Sequence, residues 1–296
     1  MLIMGQIISN STDAWRRGRS KITRFQQARQ AFETLQQRLA SASLAPYWDY
    51  EYDAAAPTIP TQYGLRSDFV FRSGKAEATI SPPSNGRLQG HAMIFTAPLG
   101  AHEDSAKVRF RSLINLWGCY VGFFETSTLL PRAEEFGLNG RAHFGLYEFC
   151  QPLMPVSESD APVAAPAVSI SNPQFVAENV ILLVIRPLAA SADSPPSPYS
   201  MAQDFRYDSA EHGHQLPASV RVIMVAIDKD SANWVTDADK FDQLIPENLF
   251  EFAASAEQID TDLRRLESHL NQGLGKRLSY QIFDTTLQLS PSRWES

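Results

Sequence analysis

The stretch "FQQARQAFETLQQRLASASLAPYWDYEY", residues 25–52, decides how the rest of the chain is read. Phe25, Phe32 and Leu39 recur every seven positions, and Ala28, Leu35 and Ala42 fall three further on. A stripe this narrow, flanked by Gln26, Gln27, Arg29, Gln36 and Arg38, suits packing on one partner surface better than burial all round. No Gly or Pro interrupts residues 21–45, so the pattern predicts a long amphipathic N-terminal helix of about 36 Å at a rise of 1.5 Å per residue. Pro46 ends it, since proline disfavours helical geometry in the residue before it. The aromatic cluster "YWDYEYD" follows at once. Alternate residues of an extended segment share a face, so Asp49, Glu51 and Asp53 are expected to point out while Trp48, Tyr50 and Tyr52 pack the head against the helix.

Toward the N-terminus, "MLIMGQII" is strongly apolar over eight residues. Eight helical residues reach only about 12 Å, against a bilayer core of about 30 Å. The run therefore reads as the end of a longer apolar segment, with Met1 not the natural start, or as the frayed first turn of a soluble helix. The short basic run "RRGRSK", residues 16–21, stands between it and the stripe.

Beyond Pro60 the pattern changes to short apolar or alternating runs divided by turn-rich stretches. Candidate strands are "DFVF" (68–71), "HAMIFTA" (91–97), "CYVGFFE" (119–125), "HFGLYEF" (143–149), "VILLVI" (180–185), "SVRVIMVAI" (219–227) and a final alternation in "RLSYQIFDTTLQL". Their spacing and their Pro, Gly and Asn breaks favour a mainly antiparallel sheet. The unalternating "VILLVI" predicts a central strand covered on both faces. Residues 151–173 and 191–217, rich in Pro, Ala and Ser, are expected to be partly disordered surface loops. Leu249, Phe252, Ile259, Leu263, Leu266 and Leu270 have helical spacing, and Gly273 supplies a stop for a late helix. The expected fold is α+β: a long N-terminal amphipathic helix over residues 1–45, packed on a mainly antiparallel β-sheet head with a late helix over 46–296.

The chain has 296 residues, 44% hydrophobic and 20% charged, enough to bury a substantial core. A net charge of −7 argues against nucleic acid as a partner, because phosphate recognition needs a basic face and the one dense basic run is short. Cys119 and Cys150 are too few for a disulfide scaffold. They are two buried small hydrophobes or, in an oxidising compartment, one bridge.

Chemistry-bearing motifs are weak. No Gly-rich phosphate loop, nucleophile elbow or HExxH pattern is present, so neither catalytic residues nor a cofactor are assigned. His212 and His214 in "HGH" could offer two imidazoles to a metal, but with no convincing third ligand they read as solvated. "DKDSANWVTDAD" (228–239) has Asp228, Asp230, Asp237 and Asp239 in a calcium-loop composition, yet lacks the central glycine and closing glutamate. "YWDYEYD" also admits a sugar-binding reading through its aromatics and carboxylates.

Taken together, a helix leading into an antiparallel sheet, closed late by "LPASVRVIMVAI" (216–227), resembles minor type IV pilin-like proteins, particularly the J-type pseudopilins of type II secretion. The chain is most similar to the group called Verru_Chthon cassette protein C, through "FQQARQAFETLQQRLASASLAPYWDYEY", "HAMIFTAPLG", "LWGCYVGFFE", "HFGLYEFCQPLM", "AENVILLVIRP", "QLPASVRVIMVAID" and "LSYQIFDTTLQLSPSRW". That resemblance implies a non-enzymatic structural subunit that assembles through its N-terminal helix into an envelope filament. Its partners would be other pilin-like subunits and the inner membrane, through an upstream helix, with the head in the periplasm. Phe25, Ala28, Phe32, Leu35, Leu39, Ala42, Trp48 and Tyr50 would carry subunit or helix–head packing. The alternatives are an exported glycan-binding or glycan-acting module built on Tyr47 to Tyr52, and a soluble scaffold.

Overall fold

A computed structural model describes residues 25–53, 56–81, 86–99, 114–125, 142–152, 168–170, 173–188, 205–251 and 256–289. The apolar run at 1–8, the basic run at 16–21, Phe252 and most of the two Pro-rich connections lie outside the described residues.

Helix α1 (Gln26–Ala40) opens the fold. A hairpin of β1 (Tyr47–Asp53) and β2 (Ala56–Arg66) follows. Next come β3 (Phe71–Lys75), the short helix α2 (Ala76–Thr79), β4 (Ile80–Ser81), β5 (Arg87–Ala97), β6 (Asn115–Glu125), β7 (Ala142–Pro152), β8 (Val168–Ser169), β9 (Gln174–Glu178) and β10 (Val180–Leu188). The chain closes with β11 (Tyr207–Asp208), β12 (Ser219–Ile227), α3 (Lys229–Ala232), α4 (Ala238–Asp242), α5 (Ala256–Ser268), a π-helical turn (His269–Gly273) and β13 (Tyr280–Gln288).

Two antiparallel sheets form the body, one in the order β11-β3-β5-β6-β7-β9 and the other β10-β12-β13. Between them lies the main core, which takes Met93, Phe95, Cys119, Val121, Phe144 and Leu146 from the larger sheet and residues 180–185 from β10. Alternation sends the intervening residues Ile94, Tyr120, Phe124, Tyr147 and Phe149 to the opposite face, where α2 and Ile80 of β4 help to cover them in a second, smaller core.

The long N-terminal helix is corrected by this structure. The described residues are mainly antiparallel β, and α1 has 15 residues and stops at Ala40, well short of Pro46. Tertiary pairing ends it early. Ser41 folds its hydroxyl back onto the Arg38 carbonyl, Ser43 N–H donates to the Thr96 carbonyl of β5 at 2.9 Å, and Leu44 drops into the core. Ala45 then takes a positive φ of 41°, which no helix accommodates.

Two strand expectations also change. "DFVF" lies mostly outside a strand, with β3 starting only at Phe71, because the Val70 N–H donates to the Thr96 hydroxyl at 3.1 Å in place of a backbone carbonyl of β5. "VILLVI" forms an edge strand rather than a central one, since β12 holds the middle of the three-stranded sheet. It is nevertheless buried throughout, because β5 of the larger sheet crosses it. At the crossing β5 breaks register between Gln89 and Met93. There Gly90 adopts φ +69°, and a Cβ at that position would stand 2.6 Å from the Leu183 carbonyl, so only glycine fits. Finally, residues 205–217 form an ordered turn that adds β11 to the edge of the larger sheet.

Candidate interaction surfaces

The period-seven stripe becomes the contact face of α1. Ala28, Ala31, Phe32, Leu35 and Leu39 are buried, while Phe25 and Ala42 are partly buried against the same core. Gln26, Gln27, Arg29, Gln30, Glu33 and Gln37 are exposed on the other flank. The helix bridges both sheets. Phe32 meets Phe283 of β13 with ring centroids 5.6 Å apart. Arg38 pairs with Glu148 of β7 and lies 5.5 Å over the Trp117 ring of β6.

Beneath this pair a small cavity is lined by Thr34, Leu35, Trp117, Cys119 and Leu146. Burial pushes the Cys119 thiol far above its ordinary range, so it is inert as a nucleophile. Cys119 and Cys150 are free thiols. The register explains why: Cys119 faces Glu148 and Cys150 faces Trp117, leaving the sulfurs offset by two positions.

A second polar junction ties the sheets together and had no visible signal in the sequence. His91 of β5 is buried; its Nδ1 accepts the Ile185 N–H at 3.0 Å and its Nε2 meets the Phe250 carbonyl at 3.0 Å. Accepting at Nδ1 places the ring proton on Nε2. Phe250, strained at φ +57°, donates its own N–H to the buried Asp262 of α5 at 3.1 Å. The chain of contacts runs β10, β5, residue 250, α5. On the outer face of β12, Arg221 holds Asp284 of β13 at 2.7 Å and Asp260 of α5 at 3.0 Å. Those carboxylates raise its pKa further.

The metal-like motifs are structural. Asp228 caps α3 by accepting Ser231 N–H at 2.8 Å, and Asp237 caps α4 by accepting Lys240 N–H at 2.9 Å, the usual work of aspartate at helix starts. His212 stacks on Tyr207 at 4.4 Å. Burial lowers the pKa of both His212 and His214, which favours the neutral rings. Among the described residues no cluster of three or more metal-ligating side chains forms.

The aromatic cluster is placed opposite to expectation. Trp48 and Tyr50 do not pack on the helix; they are 57% and 53% exposed, and Tyr52 and Tyr63 stand out with them. Trp48 stacks on Tyr63 at 5.2 Å and 10°, and Tyr50 leans on Tyr63 at 5.0 Å. The rings find their partners across the β1–β2 ladder, where Tyr50 is directly opposite Tyr63. This hairpin forms a sheet of its own, and both of its edges are unpaired by other strands among the described residues.

No family model and no curated protein matches the chain. Among solved structures it is similar to a type IV-like pilin from Thermus thermophilus at 9% identity, covering 89% of this chain and 95% of that one with a TM-score of 0.35. A likeness this loose carries no argument about fold or function.

Proposed function

We propose that the chain is a non-catalytic, pilin-like structural subunit that works by assembly with other pilin-like subunits of a type II secretion or type IV pilus-like system. The observation that carries this reading is α1, whose apolar seam is laid across both sheets while its polar flank stays open. A head-of-chain helix held this way leaves one side available to neighbours, as a subunit in a filament requires. The resemblance in sequence supplies the rest: attachment to the inner membrane through apolar sequence ahead of α1, a head in the periplasm, and a minor, pseudopilin-like place in the assembly.

A photo-crosslinking residue placed at Gln30 or Gln37, both exposed on α1, tests the reading in the native envelope. Adducts with other pilin-like subunits in the inner-membrane fraction are expected. Adducts confined to soluble proteins of other kinds would leave the scaffold reading in its place. The glycan reading rests on the aromatic hairpin, but there Trp48 and Tyr63 turn ring faces toward each other, leaving fewer faces for a sugar to stack on.

A further inference from the structure

The turn after β11 covers the start of β3 and is closed by two histidines. β11 pairs with the outer edge of β3, Tyr207 opposite Ser73 and Asp208 opposite Arg72. Ser209 extends the contact: its N–H donates to the Phe71 carbonyl at 2.9 Å, and its hydroxyl accepts the Phe71 N–H at 3.0 Å. The Ser209 carbonyl in turn accepts the backbone N–H of His212 at 3.2 Å and of His214 at 2.7 Å. Closing the turn puts Gly213 and His214 at consecutive positive φ values of 65° and 56°, a left-handed conformation that a residue with a side chain holds only under constraint.

The Nδ1 atom of each ring is shielded from water and has no hydrogen-bond partner among the described residues. A neutral imidazole can turn its lone pair there, but the charged form carries a proton on both nitrogens. Each Nδ1–H would then be buried with nothing to accept it, a costly state. Glu211, Asp208 and Arg206 face His212, and Arg66, Asp208 and Asp68 face His214. The carboxylates among them are already engaged: Asp208 accepts from Arg72 Nε at 2.9 Å and Nη2 at 2.8 Å, Glu211 is paired with Arg206, and Asp68 accepts the Tyr47 hydroxyl at 3.1 Å. Burial outweighs their attraction, so both imidazole pKa values lie below the ordinary one.

We infer that the turn 209–214 is an acid-released clasp: closed while both rings are neutral, it lifts off the start of β3 when they take up protons. Phe205 and Tyr207, buried in the core, hold its upstream end. Release frees the Phe71 N–H and carbonyl from Ser209, which opens the edge of the larger sheet at that end. The open turn binds protons near the ordinary imidazole value of about 6.5, and the closed turn only at lower pH. Between the two values the opening constant rises by up to about tenfold per pH unit for each histidine. The device lies in the turn itself and does not depend on the chain being pilin-like.

Native-state hydrogen exchange on the full chain at about pH 7.5 and about pH 5.5, either side of the imidazole range and corrected for the intrinsic pH dependence of exchange, tests the clasp. Protection of the Phe71 and Ser209 amides should fall about tenfold or more on acidification. Dilute urea should leave both almost unchanged, as for a local opening, while the amides of β6 respond to it. His212→Asn with His214→Asn tolerates the left-handed position and takes no proton, so the acid-driven fall should vanish. His143→Asn, outside the turn, should leave it intact. If the double variant holds the turn open at every pH, the rings of the unaltered chain decide: NMR should show both imidazoles titrating below the ordinary range, in step with the loss of protection.

Equal protection at the two pH values overturns the inference, as do rings that titrate without any loss of protection. A fall that survives the double substitution assigns the effect to Asp208 or Glu211 and overturns it too. Exchange at Phe71 and Ser209 that follows urea as steeply as β6 would mean that the turn opens only with the whole fold, which leaves no clasp.

Discussion

Helix α1 and the β1–β2 hairpin are neighbours in sequence, similarly rich in large apolar side chains, and opposite in fate. Phe32, Leu35 and Leu39 are sealed under the helix, while Trp48, Tyr50 and Tyr63 stack on one another in the open. The helix seam matches a surface already built by two sheets, so each ring or methyl it buries adds to one core. Among the described residues the hairpin forms a sheet of its own, and its exposed rings pack on one another. An apolar pattern thus shows which side chains share a face, but a second element must exist opposite that face before it becomes interior.

The contrast predicts a large effect on one side. Phe32→Ala removes a buried ring that meets Phe283 and should cost about 3–5 kcal/mol, read as a lower urea midpoint with an unchanged slope. A loss below about 1 kcal/mol would show that α1 is not part of the cooperative core.

The buried polar junction comes next. His91→Phe keeps the ring but leaves the Ile185 N–H without its acceptor and removes a partner from the Phe250 carbonyl. Each orphaned group is worth about 1–3 kcal/mol, and hydrogen exchange at Ile185 should accelerate. Unchanged exchange there would sever β10 from β5.

At the rim of the seam, Glu148→Ala strands Arg38 over Trp117 and should cost about 1–2 kcal/mol. The pair replacement Arg38→Met with Glu148→Leu should be milder than this single change, because no charge is left stranded. The reverse ranking in thermal melts would make the ion pair itself the stabilising element.

The half-buried turn at His212 and His214 lies between the two extremes. Burial lowers both imidazole pKa values in the folded chain, so the unfolded chain binds protons first as pH falls. Stability should be full above the ordinary imidazole range, near about 6.5, and decline as pH drops through it toward the lower folded values. Replacing both by Asn should flatten that decline in unfolding measured against pH. An identical profile in the variant would assign the acid sensitivity to carboxylates.

Smallest of all is the expected effect of Trp48→Ala with Tyr63→Ala, within about 1 kcal/mol of the parent. Global unfolding that falls much further would place the hairpin inside the core unit and erase the contrast.

Much of the body was legible in the sequence. Strand β12 occupies the residues expected of "SVRVIMVAI", and β5, β6, β7, β10 and β13 grow from the apolar runs that marked them. Ala28, Phe32, Leu35 and Leu39 share a helix face for the reason their seven-residue spacing gives. What the spacing left open was length and surroundings. Gln26–Ala40 is shorter than the uninterrupted pattern because Ser43 pairs with β5 and Leu44 enters the core, both long-range events. His91 carried no sequence signal, since its partners are backbone groups of residues 185 and 250, far along the chain.

The sequence by itself determined period and face, because alternation and helical repeat are local properties of the backbone. Only the tertiary structure decided which faces are interior, where β10 sits in its sheet, and that Trp48 and Tyr50 look outward. Burial depends on what stands opposite, and that is set by residues distant in the chain.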